Sequence, residues 1–161
     1  MATDISVISV ERLTTELYAI FDETFENVHG IYLDSNTSLF ETLATVSAEE
    51  ASRPVSSRCA SIAGQVEHVR FFIDVLERYI KGEKLGSVDW QGSWYLKTVT
   101  PEEWQALKAR LKDAYTSVLA TLKSIDNWDG ENELGGALSA AIHTAYHLGE
   151  IRQALCTIKN G

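Results

Sequence analysis

Hydrophobic positions recur with helical spacing along most of the chain. From Val10 to Asn27 the apolar residues Leu13, Leu17, Ile20, Phe21 and Phe25 share one helical face. Gly30 and the polar run Asp34-Ser35-Asn36-Thr37-Ser38 predict a break, after which Ser38 caps a second piece through Glu41. Ser47-Ala48-Glu49-Glu50 has the same Ser-x-x-Glu form and predicts one more turn, stopped before Pro54. Between about Cys59 and Lys81, Ile62, Val66, Val69, Ile73, Leu76 and Ile80 step by alternating fours and threes, the seam of a bundled helix that Gly82 ends. A second stripe, Gln65, His68, Phe72, Val75 and Tyr79, gives this helix two adjoining faces to bury.

Residues 83–99 read as an irregular segment, with Asp89-Trp90 and Ser93-Trp94 as its anchors. Thr100-Pro101-Glu102-Glu103 is a strong helix start, with Thr as N-cap, Pro at N1 and Glu at N3. The helix it opens should reach about Ile125 and bury Trp104, Leu107, Leu111, Tyr115, Val118 and Leu122. A turn at Asp126–Gly130 leads to a last helix from about Glu131 to Ile158. Three long helices and a divided first one predict an all-α four-helix bundle. With no repeat or linker, residues 1–161 read as a single domain.

Composition narrows the function classes. Apolar residues make up 45% of the chain, enough for a buried core. Fourteen basic against 23 acidic residues leave a net charge of −9, which repels phosphate backbones and anionic lipid; neither nucleic acid nor membrane is an expected partner. Cys59 and Cys156 are too few for a disulfide framework, and Cys156 reads as helix packing. Met1 to Arg12 has no basic segment followed by an apolar run, so no signal peptide is expected and a cytoplasmic location is the simplest reading.

The chemistry lies in the histidines. His143 and His147, four apart in the last helix, project from one face about one turn from each other, the spacing with which two imidazoles reach one metal ion. Gly136, Ala140, Glu150, Ile151 and Ala154 fall in the same sector, and its small residues are expected to leave room around the rings. His68, on the second stripe of its own helix, points inward and can supply a third nitrogen. Three neutral imidazoles suit zinc, nickel or iron and leave coordination positions open, the catalytic pattern. Glu150, one turn beyond His147, is a candidate general base or partner to a ligand. His29 has no partner at ligand spacing and is expected to be structural or to line an entrance. Glu67 immediately precedes His68 and points elsewhere, so a dinuclear carboxylate site is not expected. One or two of Trp90, Trp94 and Trp128 are candidates to wall a pocket.

Two segments carry a resemblance: Ser61-Ile62-Ala63-Gly64-Gln65-Val66-Glu67-His68 and His143-Thr144-Ala145-Tyr146-His147-Leu148-Gly149-Glu150-Ile151-Arg152-Gln153. With them the chain resembles the DinB-like, or YfiT-like, family of bacterial four-helix-bundle metalloproteins, whose pattern is one histidine in the second helix and an HxxxH pair in the last. The resemblance covers most of the chain from Leu39 onward. It implies a divalent metal on His68, His143 and His147, a homodimer, and a small-molecule substrate. Characterised relatives include thiol-dependent S-transferases and a thiol-dependent isomerase, which implies a low-molecular-weight thiol as co-substrate. The expected function is therefore a thiol-dependent S-transferase; the alternatives are a metal-dependent hydrolase and a non-catalytic bundle that binds an ion or small ligand.

Overall fold

The structure, a computed structural model, describes residues 7–160; the first half of the N-terminal stretch read above for a leader, Met1 to Ser6, lies outside the described residues. Six α-helices follow in order: α1 (Val10–Phe25), α2 (Leu39–Ala44), α3 (Ala48–Ser52), α4 (Ile62–Ile80), α5 (Pro101–Lys123) and α6 (Glu133–Asn160). A single 3₁₀ turn, Gly92–Trp94, interrupts the α4–α5 connection. There is no strand among the described residues, and no helix is long and apolar enough to cross a membrane. The expected all-helical bundle is present: α4 packs between α5 and α6, and α1 closes the bundle against α6.

Local chemistry sets the boundaries. Ser38, Ser47 and Thr100 each accept a hydrogen bond from the backbone N–H three residues on, and the Glu at N3 returns one to the cap. Ser61 caps α4 in the same one-way manner, which starts that helix three residues later than the hydrophobic pattern suggests. The predicted break after α1 is real. Gly30 and Asn36 both adopt left-handed backbone (φ 78° and 61°), which glycine and asparagine tolerate best.

That break is held by a buried carboxylate that the pattern did not reveal. Glu23, fully inaccessible on α1, accepts backbone N–H bonds from His29 (2.8 Å), Ile31 (2.9 Å), Tyr32 (2.6 Å) and Leu33 (2.7 Å). Burial by itself raises its pKa, but these four donors outweigh that effect and hold it at about 2.

One connected core runs through all four long helices. All six residues expected from α5 are buried in it, and Phe25 of α1 stacks on Tyr115 of α5 with ring centroids 4.5 Å apart. One expectation fails on packing. Cys156 is exposed beside Asn160, whereas Trp128, one of the three candidate tryptophans, is buried in the core. Gly136 does not make room around the histidines either. A Cβ there would lie 2.7 Å from Ile80 Cγ1, so the missing side chain serves the close approach of α6 to α4.

Candidate metal centre

Three of the four histidines meet where α4 passes α6. His68 and His147 are buried and His143 is half-buried. One nitrogen from each lies within 4.8 Å of the other two. His143 stands at the edge of the α6 core stripe, whose centre runs through Ala137, Ala141, Thr144 and Leu148. That rotation turns its imidazole out of the core and toward α4.

The hydrogen bonds fix which nitrogen each ring offers. Ser93 donates its hydroxyl proton to the Trp90 carbonyl (2.7 Å), so its oxygen must accept from His68 Nδ1–H (2.7 Å). The lone pair of His68 is therefore on Nε2. His147 Nδ1 hydrogen-bonds Gln65 Oε1 (3.4 Å) and lies 2.9 Å from the Glu150 carboxylate; both oxygens only accept, so Nδ1 carries the proton and Nε2 is left free as well. His68 Nε2 and His143 Nε2 are 3.1 Å apart, so without an ion His143 donates its Nε2 proton to His68. A divalent cation would be held here by His68, His143 and His147, with the proton shared by His68 and His143 displaced.

The rings are also neutral. Burial and the neighbouring imidazoles lower the pKa of His68 and of His143 to about 4. Burial lowers that of His147 too, against the opposing pull of Glu150. The donor set thus fits a divalent transition ion: three neutral imidazoles from two helices, two of them tethered through Nδ1 by a hydroxyl, an amide and a carboxylate.

Aromatic walls hold the cluster in place. Trp94 stacks on His68 with centroids 3.9 Å apart, and Phe72 stacks on His143 at 3.6 Å. The loop carrying Ser93 and Trp94 reaches His68 because α4 has a glycine beneath it. A Cβ at Gly64 would meet the Leu96 carbonyl oxygen at 2.7 Å. Asp89 stiffens the loop by accepting from the Gly92 N–H (2.9 Å).

Beside the cluster lies an open cavity of about 600 Å³, bounded by Gln65, Trp94, Tyr146 and Glu150, which all touch the histidine rings, and continuing along α6 past Gln153 to Thr157. Of the three candidate tryptophans, Trp94 walls it; Trp90 packs edge-on against Phe71 instead. His29 stands apart, its Nε2 2.5 Å from Asp22 Oδ2 at the surface. Ser93 carries a role that sequence reasoning did not assign, since nothing in its spacing relates it to His68. The one available signal was its place beside Trp94, an anchor of the irregular segment. Comparisons of the chain with protein-family models, curated proteins and solved structures give no match.

Proposed function

We propose that the protein is a metal-dependent enzyme of the DinB-like type, using a thiol to carry out an S-transfer on a small molecule. The observation that carries the reading is the convergence of three neutral, oriented imidazoles beside an accessible cavity. His68, His143 and His147 would hold the ion. When bound, a zinc, nickel or iron ion supplies Lewis acidity that keeps a thiol in its nucleophilic form near neutral pH.

The chain's own groups do the rest. Ser93 and Glu150 keep the Nδ1 protons of His68 and His147 in place, so each ring presents its Nε2 lone pair without reorganisation. Trp94 and Phe72 restrict ring rotation and shield one side of the cluster from water. The cavity gives the second reactant a place against Trp94 and Tyr146. Glu150 sits 2.9 Å from a histidine nitrogen, which suits a positioning residue better than a free general base and weighs against the hydrolase alternative. In this reading the protein pairs with a second copy in the cytoplasm.

Elemental analysis of protein prepared without a histidine tag, beside His147→Ala, tests the proposal. One equivalent of a transition metal, lost or sharply reduced in the variant, supports it, as does metal-dependent consumption of a low-molecular-weight thiol with an electrophile. Protein that stays metal-free after exposure to Zn²⁺, Ni²⁺ and Fe²⁺ overturns it.

A further inference from the structure

Gln65 occupies an unusual position in the cavity. Its side chain is more than nine-tenths buried, on α4 one turn before His68, yet it lines the open cavity. Its amide orientation is set by its neighbour. A carboxylate oxygen of Glu150 2.9 Å away requires a proton on His147 Nδ1, so the Gln65 atom it bonds at 3.4 Å is the carbonyl oxygen. The amide nitrogen then faces the cavity, and it has no hydrogen-bond partner among the described residues. Two N–H donors of a largely buried residue thus reach the open cavity, bonded to nothing among the described residues.

The rest of the wall says what they are for. Trp94 and Tyr146 provide aromatic faces. Gln153 and Thr157 add uncharged polar groups along α6, about 16 Å of helix from Tyr146 to Thr157. No lysine or arginine lines the cavity, and its one charged residue is the Glu150 carboxylate. An anion entering here meets like charge and no compensating cation. A carbonyl oxygen with an apolar body meets two donors and two aromatic walls.

We infer that the cavity is a binding site for uncharged carbonyl compounds (amides, esters or ketones with an aromatic or apolar body) and that Gln65 is the residue that selects them by donating to the carbonyl oxygen. This deepens the metalloenzyme reading, on which the fate of the bound compound rests, but the binding step itself needs no metal. Gln65 is a specificity determinant in two directions at once: its oxygen steadies His147 and its nitrogen receives the ligand.

The test uses three probes of one shape: benzamide, benzoate and toluene. Binding is followed in ¹H–¹⁵N spectra of the full chain, with the Gln65 side-chain NH₂ pair identified by its loss in Gln65→Glu. That variant keeps an oxygen for His147 and removes both donors. Benzamide should shift the Gln65 pair, and its affinity should fall at least about fivefold in Gln65→Glu, while that of toluene changes less than about twofold. Benzoate should bind the wild type at least about tenfold more weakly than benzamide. The inference is overturned if benzamide moves cavity signals but not the Gln65 pair, if benzoate binds as tightly, or if no probe binds. Should Gln65→Glu fail to fold, the wild-type shift of the Gln65 pair and the benzamide–benzoate comparison still decide. Metal content measured on the same samples separates the two readings. Metal-free protein that responds to benzamide sinks the metalloenzyme alone, and metal-loaded protein that ignores it sinks this site alone.

Discussion

Metal binding at pH 6 should release less than about one proton, and the limit follows from the burial of the cluster. Three ordinary imidazoles with a pKa near 6.5 hold about 2.3 protons between them at pH 6, all of which a metal must displace. In this fold His68 and His143 have pKa values of about 4, so at pH 6 they are already deprotonated. Only His147, lowered below its ordinary value, contributes, and the total stays under about one proton. The same arithmetic governs affinity. Between pH 7.5 and 5.5 an unperturbed three-histidine site weakens about a thousandfold. Here His68 and His143 contribute nothing over that range and His147 at most about tenfold. Calorimetric titration of Zn²⁺ at pH 6, in two buffers of different ionisation enthalpy, counts the protons directly. Release of two or more would refute the argument that burial keeps these rings neutral.

Other expectations follow from the same contacts. Ser93→Ala removes the acceptor for His68 Nδ1–H and should weaken metal binding about 10- to 100-fold with little change in the far-ultraviolet circular dichroism. Glu23→Gln confronts two of four backbone donors with an NH₂ group and should cost about 2–4 kcal/mol in urea unfolding; a loss under 0.5 kcal/mol, on the order of an ordinary surface change, would contradict the role given to it. Because the folded-state pKa of Glu23 is depressed to about 2, its contribution is complete above the unfolded value of 4.5 and is lost as pH falls toward 2, which acid unfolding of wild type against Glu23→Gln should reveal. Histidines with lowered pKa act in the corresponding window: their contribution to metal-free stability is present above pH 6.5 and declines toward pH 4, so the melting temperature should drop across that interval and less so in His143→Phe. Gly136→Ala drives a Cβ into Ile80 and should destabilise by about 1–3 kcal/mol, read by thermal melting.

The sequence by itself determined the helices. Apolar spacing and the Ser or Thr caps place α2 to α5 within a few residues, because those signals act through backbone hydrogen bonds and a single buried face, both local. It also brought His68, His143 and His147 together as candidates, since an i, i+4 pair shares a face in any helix and an inward third ring needs only one facing neighbour.

Tertiary structure decided everything that depends on which helix lies beside which. That Gly136 serves Ile80 and not the imidazoles, and that Gly64 admits the Leu96 carbonyl, are matters of interhelical distance, which periodicity does not encode. The tautomers are set by Ser93, 25 residues from His68, and by the Gln65–His147–Glu150 contacts across α4 and α6. Nothing in the sequence pattern singles out Glu23, whose carboxylate is buried. Its burial depends on a loop folding back to bring four N–H groups to it, and only the assembled backbone supplies that field. A hydrophobic pattern states which face of a helix avoids water; the partner atoms that meet that face, and the polar groups stranded among them, exist only once the bundle has closed.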